Sequence, residues 1–212
     1  MIIVAGGASS RFGGDKLMAP ILGLPLVLHT VAAVSRAVDH CVLVCRADQR
    51  EELLAFDSGA LIVPGGATRT GSELAGLAEI GAGVDLVGIH DGARPLVSAG
   101  LIEHLFDVAA DIGGAVPVLT DAPIFSRSAL TRVPGTGLAQ TPQVFRAGPL
   151  IEAYKMAEAQ GFEGHDTADV ALAFSDLVIA AVQGDHSNIK VTFPADLEAV
   201  TMALGTSRNG PR

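Results

Sequence analysis

Short apolar segments recur along the chain, and each is a continuous run rather than an alternation of apolar and polar residues. Runs of this kind are typical of parallel strands whose two faces are both covered. The clearest of them are 42–44, 61–63, 86–89, 115–119 and 177–182. Helical patterns lie between the runs, at about 25–38, 48–56, 70–82, 98–111, 147–160, 167–174 and 194–204. The alternation of strand and helix predicts an α/β fold, a three-layer α/β/α sandwich.

The length and composition indicate one domain. With 212 residues, 49% of them hydrophobic, the chain can bury one substantial core but is too short for two ordinary domains. We expect this domain to span residues 1–204. The segment at about 121–146 departs from the alternation and is rich in Pro, Ser, Thr and Gly, so we expect an excursion from the sheet as a β-arm. Residues 205–212 have the composition of a disordered tail.

A glycine-rich loop with two cations follows the apolar residues 2–5. Gly6 and Gly7 begin the loop, and Arg11 and Lys16 lie further along it. Glycines let the backbone approach a ligand closely, so that successive N–H groups can converge on phosphate oxygens. Lys16 is followed by an apolar residue rather than a hydroxyl, which excludes a P-loop, and the glycine spacing is not a clean dinucleotide fingerprint. The loop indicates polyphosphate binding; the alternative is an ordinary turn with two solvated basic side chains.

Two more loops follow predicted strands. Gly66 lies in a glycine turn whose backbone can contact the edge of a base, and Ser72, in the next helix, can donate to a base carbonyl. Asp91 closely follows the apolar run 86–89, at the end of the predicted strand, where one carboxylate can hold a Mg²⁺ ion that bridges phosphates. Arg94 can form a forked contact with a phosphate. The alternative for the second loop is an Asp91–Arg94 ion pair that only closes it.

Lys190 lies in a short apolar segment, predicted as a strand, before a helix that begins at Pro194. An unpaired ammonium is costly to bury, so we expect Lys190 to meet an anion. The alternative is a side chain that reaches solvent at a strand edge. Ligands of such sheets bind beyond the carboxyl ends of the strands, and each of these loops is expected there.

Charge and hydropathy exclude several classes of function. A formal net charge of −9 argues against nucleic acid as a partner, because its phosphates need a basic surface. No apolar stretch is long enough to cross a membrane and no export signal is evident, so we expect a cytoplasmic protein. Cys41 and Cys45 are expected to be reduced, packed thiols without a function.

Five motifs occur in order from residue 5 to residue 197: A-G-G-x-x-S-R-F-G-G-D-K, G-G-A-T-R-x-x-S, H-D-G-A-R-P, T-P-Q-V-F and N-I-K-V-T-x-P-x-D-L. In these motifs the chain resembles the cytidylyltransferases that act on 2-C-methyl-D-erythritol 4-phosphate and ribitol 5-phosphate. The resemblance implies a Rossmann-like nucleotidyltransferase fold with a protruding β-arm, and a homodimer joined by that arm. It also implies CTP and Mg²⁺ as ligands, a small phosphorylated polyol as acceptor and pyrophosphate as a product.

The resemblance assigns roles residue by residue. It implies three catalytic cations, Arg11, Lys16 and Lys190, and a metal-binding carboxylate, Asp91. The positions that match cytidine-binding residues, together with the second loop glycine, are Ala5, Gly6, Gly7, Gly66 and Ser72. The positions that match the acceptor site are Arg94, Arg132 and Thr141.

The acceptor half departs from the family pattern in three places. Ala122 stands where the family has a threonine, Arg132 lies nine rather than eight residues before Thr141, and the family's T-D-[DE]-[AS] is replaced by 166–169, Asp-Thr-Ala-Asp. The leading hypothesis is transfer of CMP from CTP to 2-C-methyl-D-erythritol 4-phosphate, a step of non-mevalonate isoprenoid precursor synthesis. The alternatives are a cytidylyltransferase for another polyol or sugar phosphate, such as ribitol 5-phosphate, and a non-catalytic CTP-binding paralogue.

Overall fold

The structure is a computed structural model that describes residues 1–7, 11–122 and 135–208. A mixed sheet of eight strands forms its centre, and two further strands, β2 and β3 in the list that follows, pair as a separate ribbon. The strands are β1 (Ile2–Ala5), β2 (Pro20–Ile21), β3 (Leu24–Pro25), β4 (Val42–Cys45), β5 (Leu61–Pro64), β6 (Leu86–Asp91), β7 (Gly113–Leu119), β8 (Leu138–Ala139), β9 (Gln143–Arg146) and β10 (Val178–Gln183).

The strand order of the main sheet is β10-β7-β9-β6-β1-β4-β5, and β8 pairs with β7 outside this path. Neighbours from β6 to β5 run parallel, as do β10 and β7, whereas β9 runs antiparallel to both β6 and β7. Val4 pairs with Val44 on one side and with Asp91 on the other. The carboxyl ends of β6, β1 and β4 therefore lie level and form one edge of the sheet.

Seven α-helices lie in the described part of the chain. They are α1 (Leu26–Val34), α2 (Arg50–Leu54), α3 (Arg69–Ala78), α4 (Ala99–Ile112), α5 (Ala147–Ala159), α6 (Thr167–Phe174) and α7 (Pro194–Arg208). None of the helices in this part of the chain is both long and apolar enough to cross a membrane.

Two hydrophobic clusters place the helices on opposite faces of the sheet. Successive side chains of a strand point to opposite faces, and Ile2 and Ile3 belong to different clusters. The cluster around Ile3 takes in residues of α1, α2, α4 and α7, and the cluster around Ile2 takes in residues of α3, α5 and α6. The α/β fold with three layers is therefore confirmed.

Several predicted details are wrong. The sheet is mixed, because β9 inserts antiparallel between β6 and β7. The sequence does not predict β9 as a strand, since it has polar residues at both ends and only two apolar residues between them. The excursion predicted to run to residue 146 therefore ends earlier, and residues 123–134 lie outside the described part. Residues 184–193 form no strand. Helix α7 continues to Arg208, four residues beyond its predicted end, so the predicted tail is helical over 205–208.

Candidate active site

The carboxyl-end edge of the sheet borders a cavity of about 390 Å³, a size within the range of small-molecule sites. Its lining brings together seven predicted site residues from four separate segments: Gly6, Gly7, Lys16, Gly66, Ser72, Asp91 and Lys190. They meet because parallel strands deliver the loops that follow them to one edge. Ala5, the last residue of β1, is buried and is not part of this lining.

Asp91, the last residue of β6, is the electrostatic centre of the site. Its side chain is 9% exposed, with Arg69 Nη1 3.0 Å from Oδ1 and Lys190 Nζ 2.7 Å from Oδ2. Arg94 Nε lies 3.5 Å from Oδ2. Burial disfavours the charged carboxylate, but Lys190, Arg69 and Arg94 outweigh it and hold the pKa of Asp91 well below its usual range. Asp91 is therefore ionised at neutral pH.

Lys16 and Lys190 enter the cavity from opposite ends of the chain. Lys16 Nζ donates to the carbonyl of Val191 at 2.9 Å, which fixes it next to the segment that carries Lys190. Burial, and then the charge of Lys190, lower the pKa of Lys16. Lys190 is 37% exposed but ion-paired with Asp91, so the alternative of a side chain that merely reaches solvent is not observed. Two neighbouring ammonium groups favour an anion between them.

Arg11 is exposed and does not line this cavity. Its charge is nevertheless among the causes that lower the pKa of Lys16. Arg11 therefore adds to the positive potential around Lys16.

Asp15 anchors the loop that carries Lys16. Its Oδ1 accepts from the backbone N–H groups of Leu17 at 3.2 Å and Met18 at 3.4 Å. Its Oδ2 accepts from Gln49 Nε2 and lies 3.3 Å from a guanidinium nitrogen of Arg46. Gln49 and Arg46 follow β4, so the loop after β1 is tied to the neighbouring strand end. This contact restricts where Lys16 can lie.

The glycine turn after β5 packs too tightly for side chains. A Cβ at Gly66 would lie 2.8 Å from the backbone carbon of Gly71. Thr68 is the N-cap residue just before α3, and its side chain accepts from the N–H of Gly71 at 3.0 Å. Ser72 Oγ lies 2.8 Å from the carbonyl of Thr68 and 3.3 Å from that of Gly66. The hydroxyl proton of Ser72 is donated to these backbone carbonyls. In this geometry the hydroxyl can therefore accept a hydrogen bond from a ligand, whereas the sequence predicts that it donates one.

Thr141 helps to fix the end of β6. Its Oγ1 accepts from the N–H of Asp91 at 2.9 Å and lies 3.0 Å from Nδ1 of His90. His90 Nε2 lies 3.2 Å from the carbonyl of Arg94, which can only accept, so Nε2 carries the proton and Nδ1 accepts from Thr141. Burial lowers the pKa of His90 to about 4, so the ring is neutral at neutral pH. The hydroxyl of Thr141, predicted to bind the acceptor, is engaged inside the protein.

Arg94 is 8% exposed and closes the loop after β6. Its Nη1 donates to the carbonyl of Asn188 at 2.7 Å, and its Nε lies near Asp91. The ion pair that the sequence leaves as the alternative is therefore present, and it also ties the β6 loop to the segment before Lys190. A phosphate contact by Arg94 stays a prediction.

A smaller cavity of about 170 Å³ adjoins the first. The two cavities share three lining residues, Arg69, Asp91 and Lys190. The smaller one is also lined by the predicted acceptor residues Arg94 and Thr141. Arg132, the third predicted acceptor residue, lies outside the described residues.

Arg69 is the site residue that sequence reasoning misses. It is the first residue of α3 and stands in the motif G-G-A-T-R, but nothing in the motif indicates its contact with Asp91, 22 residues later. The available signal is Glu73, four residues further on, at the spacing of ion pairs along a helix. Arg69 lines both cavities and so stands at their junction.

Comparison with known proteins agrees with this geometry. A sequence model of the 2-C-methyl-D-erythritol 4-phosphate cytidylyltransferase family matches residues 1–206. The chain is 39% identical over 210 residues to the protein of that name from Cereibacter sphaeroides, covering 92% of each chain. It is 33% identical to the one from Bacillus licheniformis, covering 93% of this chain and 91% of the relative.

A solved structure shows the same fold. The crystal structure of 2-C-methyl-D-erythritol 4-phosphate cytidylyltransferase from Thermus thermophilus superposes with a TM-score of 0.81 at 29% sequence identity. The match covers 97% of this chain and 98% of that one. Sequence, fold and the cationic cavity agree, and the chain belongs to the 2-C-methyl-D-erythritol 4-phosphate cytidylyltransferase family.

Proposed function

We propose that the protein transfers CMP from CTP to 2-C-methyl-D-erythritol 4-phosphate with release of pyrophosphate, a step of isoprenoid precursor synthesis. One observation supports this most directly. Lys16, Lys190 and Arg69 converge on a cavity of small-molecule size next to a smaller one, in a protein whose overall charge is −9. Such a local cation cluster suits a small, highly anionic ligand.

The proposed reaction is an in-line displacement. An oxygen of the acceptor phosphate attacks the α-phosphorus of CTP, the bond from that phosphorus to the bridging oxygen breaks, and pyrophosphate leaves with the electron pair. The attacking phosphate is already anionic near neutral pH, so no general base is required. The protein's part is to hold the two substrates in line and to stabilise the charge that develops.

Three predicted cations would share this work. Lys16 and Lys190 border the cavity, where their ammonium groups can contact the phosphates of CTP. Arg11, at the exposed end of the loop, would approach the triphosphate as it enters. The engagement of Lys190 by Asp91 keeps its ammonium inside the cavity. Preorganised cations of this kind stabilise the transition state without reorganisation during the reaction.

We also propose Mg²⁺ as a cofactor, held by Asp91. Each carboxylate oxygen has two acceptor sites. Lys190 and Arg94 both lie at Oδ2, whereas among the described residues only Arg69 donates to Oδ1, so Oδ1 of Asp91 retains acceptor capacity. In nucleotide sites Mg²⁺ is held by one or two carboxylates together with phosphate oxygens and water, and Asp91 fits this donor set. When bound there, the ion would neutralise phosphate charge and favour departure of pyrophosphate.

The acceptor would occupy the smaller cavity, beside Thr141 and Arg94. Its walls and those of the larger cavity share Asp91 and Lys190, so the two substrates would meet there. A contribution from Arg132, dimerisation through the arm and a cytoplasmic location stay predictions from the sequence.

Pyrophosphate release by the purified protein tests the proposal. The assay supplies CTP and Mg²⁺ with 2-C-methyl-D-erythritol 4-phosphate, with ribitol 5-phosphate, or with no acceptor. We expect release that depends on 2-C-methyl-D-erythritol 4-phosphate. Release only with ribitol 5-phosphate would contradict the proposed acceptor. CTP binding without release on either acceptor would indicate a different acceptor or a non-catalytic paralogue.

A further inference from the structure

Glu73 is an acidic side chain that is almost completely buried. It lies in α3 with 1% of its surface exposed, although a glutamate at this depth is costly unless it is paired. Three helices converge on it. Tyr154 of α5 donates to its Oε2, Thr167 of α6 donates to its Oε1 at 3.4 Å, and Arg69 Nε lies 2.9 Å from Oε1. Burial raises the pKa of Glu73, and the positive charge of Arg69 beside it counteracts that rise.

Tyr154 holds the carboxylate from the other side. It has no exposed surface, and it packs in the cluster formed by α3, α5 and α6. Burial, and then the charge of Glu73, raise the pKa of Tyr154, so its hydroxyl keeps the proton that it donates. Glu73 is thereby fixed to the helical layer. We call Glu73 and Tyr154 together the buried anchor.

Arg69 connects the buried anchor to the site. One part of its guanidinium faces Glu73, and Nη1 donates to Asp91 Oδ1 at 3.0 Å. Because a guanidinium is planar and rigid, fixing one part of it fixes the other. The remaining oxygen of Asp91 accepts from Lys190 at 2.7 Å. A continuous set of contacts therefore runs from Tyr154 to the ammonium between the two cavities.

We propose that Glu73 is a positioning residue of the transfer reaction, acting through Arg69 on Asp91 and Lys190. Without the anchor, Arg69 keeps its charge but loses the contact that sets its direction. It can then follow a bound phosphate instead of holding Asp91. The reacting groups shift while overall nucleotide attraction is retained. This inference rests on the proposed function.

The variant that tests it is Glu73→Leu combined with Tyr154→Phe. Replacing both hydrogen-bonding partners by apolar groups of similar shape removes the Tyr154 hydroxyl together with its acceptor. Of the two hydroxyls that donate to Glu73, only that of Thr167, at 3.4 Å, then loses this acceptor, so the fold is expected to survive. We expect kcat to fall about tenfold or more, as for partners that orient ligating groups, with KM for CTP within about twofold of wild type. Tyr154→Phe alone, which removes only the hydroxyl, should lower kcat in the same direction.

Two comparisons distinguish a loss of kcat caused by mispositioned groups from one caused by a general loss of stability. In an Arg69→Met background, the anchor variant should cause little further loss of kcat, because its route to Asp91 is already cut. Glu152→Gln breaks an exposed ion pair with Lys155 on the same helix as Tyr154 and should leave kcat unchanged. Circular dichroism melting of every variant shows whether it is folded.

Some results would overturn the inference. They are a folded anchor variant with wild-type kcat, or an equal loss of kcat with and without Arg69. If the anchor variant does not fold, a wild-type kcat in Tyr154→Phe decides against it. A crystal structure of the anchor variant, or of Tyr154→Phe, gives a readout without activity: we expect Arg69 displaced from Asp91, and an unmoved Arg69 refutes the role. If the wild-type protein is inactive but Arg69 is displaced in the variant's crystal structure, the result counts against the proposed function alone.

Discussion

Substitution of Lys190 by alanine should separate catalysis from stability. The change removes the ammonium that lies 2.7 Å from Asp91 Oδ2 at the boundary of the two cavities. Asp91 keeps Arg69 at 3.0 Å and Arg94 at 3.5 Å, so its carboxylate is not left unpaired. The fold should therefore tolerate the change.

The expected effect of Lys190→Ala on stability is much smaller than its expected effect on kcat. Lys190 is 37% exposed, so loss of its ion pair should cost about 1 kcal/mol of unfolding free energy, in the range of solvent-screened pairs. In a chain of this length that corresponds to a decrease in Tm of about 2–4 °C. Loss of one preorganised group that contacts the developing charge costs about 2.7–4 kcal/mol of transition-state stabilisation, or a decrease in kcat of about 10²–10³-fold.

The assay is pyrophosphate release with CTP, Mg²⁺ and 2-C-methyl-D-erythritol 4-phosphate, together with thermal melting of the same preparations. Lys155→Ala is the matched control, because Lys155 forms an ion pair of the same length, 2.7 Å, with Glu152 on an exposed helix face. It should change neither kcat nor Tm measurably. A folded Lys190→Ala protein that keeps more than about a third of its kcat would refute the catalytic role of Lys190 and the mechanism built on it, since a group of that kind is expected to cost far more.

Two further predictions concern the glycine turn and the buried histidine. A Cβ in Gly66→Ala would lie 2.8 Å from the backbone carbon of Gly71, so the turn must shift. We expect KM for CTP to rise about tenfold. The control is Gly81→Ala, whose Cβ meets no described atom within 4 Å and which should leave KM unchanged. The pKa of His90 is about 4 in the folded protein and near 6.5 in the unfolded chain. The unfolded chain thus takes up the proton first, and between about pH 6.5 and about pH 4 the free energy of unfolding should fall by about 3 kcal/mol on this account. Urea denaturation across that range checks this, and a His90→Gln protein with the same pH dependence as wild type would contradict it.

Much of the candidate site can be predicted from the sequence because strand ends and their loops are local features. Gly6 and Lys16 follow one apolar run, Gly66 follows another, and Asp91 follows a third. Parallel strands place such loops at one edge, so their meeting follows from the fold class alone. The lining of the larger cavity agrees with this expectation.

Contacts between residues that are far apart in the sequence cannot be predicted in the same way. The sequence places Thr141 near an acceptor, but its hydroxyl accepts from the N–H of Asp91 because β9 inserts antiparallel beside β6. That insertion has no local signal, since a four-residue strand with polar ends does not show a period.

Short-range patterns, namely the apolar runs, the glycine turns and the cations that follow them, can be read directly from the residues. Which charges meet depends instead on the tertiary fold. Asp91 is paired with residues 22 positions before it and 99 after it, and Glu73 meets Tyr154 across 81 positions of the chain. Contacts over such separations depend on how helices α3, α5 and α6 pack on the sheet, and packing is a property of the assembled core rather than of any segment.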